Sequence, residues 1–154
     1  MPNILVKIPR GSFPGDARAK LAHNIEKAAA RAEQMPEDPR HRALCWVLVE
    51  EIDAGLWTCG GRDVGAQVLT CFALALVPAG VLDAPSRALC VRSMHDAFVH
   101  AMPADDTRRL HSSVIVQEVA EGHWGGDGAL WTLPALAQAA GYAHLQHLVA
   151  EVAA

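Results

Sequence analysis

An internal duplication constrains this chain more than any other feature. Residues 42–61 (RALCWVLVEEIDAGLWTCGG) and residues 109–128 (RLHSSVIVQEVAEGHWGGDG) match at one constant offset. Arg42/Arg109, Val47/Val114, Val49/Val116, Glu51/Glu118, Gly55/Gly122, Trp57/Trp124 and Gly61/Gly128 are identical, and Leu48/Ile115 and Ile52/Val119 are conservative pairs. Upstream the match continues at a slightly larger offset. Val6, Ile8, Pro9 and Gly11 align with Ala75, Val77, Pro78 and Gly80, and Arg18-Ala19 with Arg87-Ala88. The length difference falls in the proline-containing stretches 35–40 and 102–108. These read as loops, where extra residues cost little.

Each copy reads as strand, helix, strand. Residues 3–8 form a short β-branched strand stopped by Pro9 and Gly11. From about Phe13 to Glu33 the apolar residues Ala17, Leu21, Ile25, Ala28 and Ala32 follow a helical stripe, with Ser12 as the expected N-cap. Residues 44–52 are a Val- and Ile-rich strand. In the second copy the strands fall at 68–77 and 113–119. The helix between them begins at Asp83 with Pro85 in its first turn. A crossover through one helix joins parallel strands. The expected architecture is α/β: two tandem βαβ units giving a four-stranded sheet with two helices on one face. The chain divides into repeat one at about 2–64, repeat two at about 67–131 and a helical tail at 134–154, all in one domain. The uncovered sheet face, carrying Val47, Val49, Val114 and Val116 or their alternating neighbours, is expected to associate with other copies.

Composition narrows the function. With 51% apolar and 19% charged residues and a net charge of −4, the chain is not disordered. Thirteen Lys and Arg against 17 Asp and Glu leave no basic excess for nucleic acid. The apolar run at 68–81 contains Pro78 and Gly80 and falls short of the roughly 20 residues that span a membrane. The N-terminus lacks a signal-peptide pattern, which predicts a cytoplasmic protein. Cys45, Cys59, Cys71 and Cys90 form no CxxC pair and read as reduced thiols. His144/His147 and His95/His100 have no ligand partners at metal spacing, and neither Gly60-Gly61 nor Gly125-Gly126 opens a phosphate loop. Neither a metal nor another cofactor is expected.

The stretch 114–128, Val-Ile-Val-Gln-Glu-Val-Ala-Glu-Gly-His-Trp-Gly-Gly-Asp-Gly, resembles the second strand and following hairpin of 4-oxalocrotonate tautomerase (4-OT). Met1-Pro2 leading into a short strand and a loop with Gly11 and Ser12 resembles the catalytic N-terminus of the same family. Together with the duplication, these motifs point to the tautomerase superfamily, whose larger members fuse two βαβ units and form homotrimers. The resemblance covers residues 2–128 for the most part. It implies removal of Met1 and a catalytic role for the secondary amine of Pro2. The chemistry is coherent, because an α-amino group titrates near 7.7–8.0 and falls further in apolar surroundings. A neutral amine on a rigid ring is then a general base for a proton α to a carbonyl. Since Cys71 stands at the position matching Pro2, each chain is expected to carry one such site.

The departures are equally informative. The arginines that hold the substrate carboxylate in the family correspond here to Ser12 and Val81, and to Trp46 and Ser113. Arg10, Arg42 and Arg109 are the nearest substitutes, with Arg62 a further option, because a carboxylate in an apolar site needs a paired cation. Trp57 and Trp124 stand where the family has a pocket aromatic, and read either as an apolar wall or as hairpin anchors. The expected function is a cofactor-independent tautomerase acting on a small unsaturated keto or enol acid. Hydration, dehalogenation or decarboxylation by a protonated Pro2 is the related alternative. A ferredoxin-like, non-catalytic binding module is the alternative from another class.

Overall fold

The computed structural model describes residues 1–152. In chain order it comprises β1 (Asn3–Pro9), α1 (Asp16–Ala32), α2 (Pro39–Arg42), β2 (Trp46–Ile52), β3 (Val68–Pro78), α3 (Ala84–Ala101) and β4 (Arg109–Val119). A small hairpin of β5 (Gly125–Gly126) and β6 (Ala129–Leu130) follows. The tail is α4 (Leu133–Ala140), a 3-10 turn (Ala143–Leu145) and α5 (Gln146–Val152). The main sheet runs β2-β1-β3-β4, parallel within each unit and antiparallel where β1 meets β3. The fold is therefore the α/β arrangement that the duplication predicts. Because the units join antiparallel, residues equivalent by sequence stand at opposite ends of the sheet.

Strand β1 sits in the middle, and its alternation sorts the two faces. Ile4, Val6 and Ile8 are fully buried under the helices, with Leu21 and Ile25 of α1 and Met94 and Phe98 of α3. The register places Val47 and Val49 beside Ile4 and Val6, and Val114 and Val116 beside Ala73 and Ala75. These four valines thus face the helices, and it is their alternating neighbours that line the open face. There Leu48, Leu5, Leu74 and Ile115 form one continuous row across all four strands. Trp46, Leu48 and Ile115 are 61%, 51% and 47% exposed.

Two local expectations are corrected. Ser12 does not cap α1; Gly15 holds the cap position, with φ of 55° and no side-chain hydrogen bond. The chain turns sharply at Gly11 (φ 76°) so that the Ser12 N–H returns to the Pro9 carbonyl at 3.1 Å, which draws Ser12 inward. The stretch 35–40 is not all loop either. Asp38 accepts from the Arg40 N–H at 2.9 Å and Pro39 opens the turn of α2, a strong local start signal. By contrast Asp83 caps α3 as expected, accepting from the Ser86 N–H at 2.8 Å.

The tail folds back over the end of the sheet where β1 begins. The Ala143 N–H donates to the Gln34 carbonyl at 3.2 Å, just past α1. His144 Nε2 meets the Val81 carbonyl at 2.8 Å, just past β3. His41 Nδ1 meets the Ala139 carbonyl at 2.7 Å. Leu136, Ala137, Ala140 and Tyr142 are buried in this contact.

Candidate active site

The N-terminus is built into the sheet. The Trp46 N–H donates to the Pro2 carbonyl at 3.0 Å, which extends the β1–β2 ladder to Pro2 itself. Pro2 is buried, and the Met1 ammonium lies 2.7 Å from Glu33 Oε2. Glu33, the cap residue just past α1, is 1% exposed. Burial lowers the pKa of the amine against the opposing pull of Glu33, and burial raises that of the Glu33 carboxyl. Each is pushed toward its uncharged form by loss of water, against the attraction of its partner. The nearby thiols of Cys45 and Cys90 are pushed up to about 12 by burial, so they stay protonated near neutrality. With Met1 attached the Pro2 nitrogen is an amide and has no basic lone pair.

A cleft of about 230 Å³ lies at the opposite end of the sheet, past the last residues of β1 and β2 and the first of β3 and β4. Its lining includes Arg10, Ser12, Trp57, Thr70 and Arg108. Arg108 spans the cleft wall: Nη2 reaches Ser12 Oγ at 3.3 Å and Nη1 the Gly65 carbonyl at 3.2 Å. The same guanidinium grips Asp106 at 2.6 Å and holds that carboxyl below the usual carboxylate range. Arg10 pairs with Asp53 and, at 3.5 Å, with Glu51 on an exposed rim. Pairs of that kind exchange readily with other anions.

These positions divide the sequence candidates. Pro2 and Arg10 are separated by the length of β1, about 26 Å at roughly 3.3 Å per residue. Within one chain the amine therefore meets neither Arg10 nor Trp57. Arg42 is at the amine end, but its guanidinium is closed on Glu26 at 2.8 Å and on the Pro36 carbonyl at 2.8 Å. Arg109 starts β4 at the cleft end, next to Arg108 in sequence, but on the same face as Ile115, the open face of the sheet. Trp57 is half-buried in the cleft wall. Trp124, its sequence equivalent, is 6% exposed and packs near Pro78, Val119, Leu133 and Leu136 beneath α4. The two tryptophans lie at opposite ends because the units join antiparallel. A larger hollow of about 540 Å³ between α1 and α3 holds none of these residues.

Two site residues had no place in the sequence reading. Arg108 carried a signal, since Asp38-Pro39-Arg40 and Asp106-Thr107-Arg108 repeat an Asp-x-Arg turn with the same bidentate pairing in both units. Glu33 carried none, because its burial depends on the amine and on the strands beside it. Among the described residues no group of His, Cys, Asp and Glu is placed to hold a metal ion, and no helix is long and apolar enough to cross a membrane.

No protein-family model matches the chain, and no curated protein matches it. Solved structures do. N1, a member of the cis-3-chloroacrylic acid dehalogenase family, superposes with a TM-score of 0.70 at 19% identity, over 98% of each chain. The fold is that of the tautomerase superfamily. An asymmetric trimer of fused 4-OT, F6, gives a TM-score of 0.67 at 15% identity, covering 83% of this chain and 94% of its own. Pt0534 inactivated by 2-oxo-3-pentynoate gives 0.67 at 11% identity, with the same coverage. At these identities the tautomerase fold is what is shared.

Proposed function

We propose that this chain, once Met1 is removed, is a cofactor-independent tautomerase-like enzyme for a small unsaturated keto or enol acid. The observation that carries this reading is the N-terminus: Pro2 is buried, hydrogen-bonded into the sheet and next to an ionisable partner, in a tautomerase fold. A terminus with no function is ordinarily loose. Pro2 acts as the proton-shuttling group, taking a proton from the carbon next to a carbonyl and returning it elsewhere.

The cation and the apolar wall come from a second copy. Arg10, Arg108 and Trp57 stand too far from Pro2 in one chain, whereas the apolar open face supplies the surface through which copies meet. A homotrimer is supported by the trimeric fused 4-OT structures of the same fold. In that assembly Arg10, freed from its exposed pairing, binds the carboxylate, and Trp57 excludes water. Arg42, closed on Glu26, and Arg109, exposed on the open face through which copies would meet, are the other candidate cations of this assembly, and Trp124 is read as a hairpin anchor.

The alternative is that Pro2 works as an acid in hydration, dehalogenation or decarboxylation, which the similarity to the dehalogenase-family protein N1 favours. One experiment separates these readings. The Met1-free protein is assayed with phenylpyruvate enol, hydroxydienoates and 3-haloacrylates, and treated with 2-oxo-3-pentynoate before peptide mapping. Proton transfer on the enols with label on Pro2 supports the tautomerase. Turnover of the haloacrylate alone supports the acid role. Full enol turnover by protein that retains Met1 refutes any role for the amine.

A further inference from the structure

Among the described residues, Glu33 is the only fully buried charged side chain. Its Oε2 accepts from the Met1 ammonium at 2.7 Å, while its Oε1 meets no partner. A half-satisfied buried carboxylate costs stability, so the position calls for a reason other than folding. Covalent geometry supplies one. Successive backbone nitrogens lie about 2.8–3.6 Å apart, given bonds of about 1.46, 1.52 and 1.33 Å along N–Cα–C–N. Because a residue before proline is held extended, the Met1 nitrogen lies toward the long end of that range from the Pro2 nitrogen and 2.7 Å from Glu33 Oε2, so an oxygen displaced from that point by a few tenths of an ångström reaches both. Once Met1 is removed, a water oxygen so placed bonds both groups.

We propose that, in the chain lacking Met1, Glu33 and the Pro2 amine act as one proton-holding pair, joined through a single water seated where the Met1 nitrogen lies. The pairing rests on the reading of Pro2 as the reactive group. The Pro2 ammonium gives its proton to the bridging water as that water gives one of its own to Glu33. Nitrogen recovers its lone pair, the carboxylate becomes a neutral acid, and no further reactant is consumed. Glu33 is a positioning residue: it holds the proton of the amine and fixes when the amine becomes basic.

The surroundings leave this pair to titrate by itself. Cys45, just before β2, and Cys90 of α3 are thiols pushed up to about 12 by burial. Glu26 is closed on Arg42. His41 of α2 and His144 of the tail are bonded to main-chain carbonyls, and the buried Tyr142 hydroxyl of the tail has no hydrogen-bond partner. A carboxylate partner keeps the amine protonated to higher pH than a neutral one would. Glu33→Gln keeps the shape and removes the charge.

The test uses Met1-free protein, verified by mass, and follows the rate of Pro2 labelling by 2-oxo-3-pentynoate, an activated alkyne that adds to a neutral amine, against pH. We expect Glu33→Gln to move the midpoint down by about one pH unit, giving about tenfold faster labelling below the midpoint. Glu33→Asp should move it less. An unchanged midpoint with Pro2 still labelled overturns the pairing and leaves the Pro2 reading standing. Unlabelled Pro2 in the unsubstituted protein, with activity present, overturns the Pro2 reading itself. If Glu33→Gln does not fold, carbon-13 NMR of the Glu33 carboxyl in unsubstituted protein decides the matter. An inflection shared with the labelling midpoint supports the pair, and an independent one overturns it.

Discussion

The Trp46 N–H donates to the Pro2 carbonyl at 3.0 Å, so the residue that carries the proposed reactive nitrogen is locked to the first residue of β2. Trp46 presents its side chain on the open sheet face, 61% exposed. One hydrogen bond thus ties the position of the amine to the surface through which copies are proposed to meet. Disturbing that surface is expected to disturb the amine.

Met1 is 12% exposed and its ammonium is held by Glu33. An aminopeptidase cannot reach a terminus so placed without local opening. Folded protein that still carries Met1 is expected to resist methionine aminopeptidase, and to be trimmed once denatured. Mass spectrometry before and after unfolding checks this. Because the retained residue makes Pro2 an amide, enol–keto turnover should fall by about 10²- to 10⁴-fold, the usual contribution of a general base.

On the open face Leu48 and Ile115 belong to the same apolar row. Placing Glu at both positions puts charges in any interface built there, where an unpaired buried charge is strongly unfavourable. The double variant is expected to sediment as a folded monomer of about 16.4 kDa. Its activity should fall with assembly, since Arg10 and Trp57 no longer approach Pro2 from a second copy.

Arg108 holds Ser12, Gly65 and Asp106 together at the cleft. Arg108→Ala leaves Asp106 without its partner and loosens the wall. Hydrogen bonds to charged groups contribute about 1.5–3 kcal/mol each to stability, so unfolding should become easier by about that amount, and the loosened cleft wall should raise KM more than it lowers kcat. Arg108→Lys retains the charge but loses the fork, and should recover only part of the loss. Steady-state kinetics on both variants distinguish charge from geometry.

Trp124 separates anchoring from catalysis. It is buried beneath α4 at the amine end. Trp124→Ala should cost about 3–5 kcal/mol of stability, read from urea unfolding, as large buried aromatics do. Trp57→Ala, at the half-buried cleft wall, should instead weaken substrate binding with a smaller effect on unfolding.

Asp38 should leave an acid-side signature. Its hydrogen bonds and ion pair with Arg40 lower its pKa from 3.8 to about 2 in the folded chain. A carboxylate depressed by folding stabilises fully above its unfolded pKa, and that contribution is lost as pH falls toward the folded value. The stability of unsubstituted protein should therefore decline between pH 3.8 and 2. Asp38→Asn, which still caps α2, should show a shallower decline in the same window, measured by denaturant unfolding at each pH.

The architecture was legible because the duplicated pattern is local. Val47/Val114, Val49/Val116 and the glycines after them mark strands and turns through nearest-neighbour preferences, and a strand-helix-strand unit permits few arrangements. The Asp83 cap and the Pro2 terminus are local in the same sense. Local cues misplaced Ser12, because its turn back to Pro9 and its contact with Arg108 draw in residues far along the chain. Which valines face the helices was also undecided, since strand alternation fixes two faces and does not say which is covered. The antiparallel meeting of β1 and β3 set the rest. It sent Trp57 and Trp124 to opposite ends of the sheet, while the approach of α2 to α1 within the first unit closed Arg42 on Glu26. Glu33 became a buried partner of the amine only when α1, β2 and the N-terminus converged. Sequence by itself determined the elements and the place of Pro2 at the head of β1. Tertiary structure decided which charges meet, because burial and ion pairing arise from contacts between segments distant in the chain.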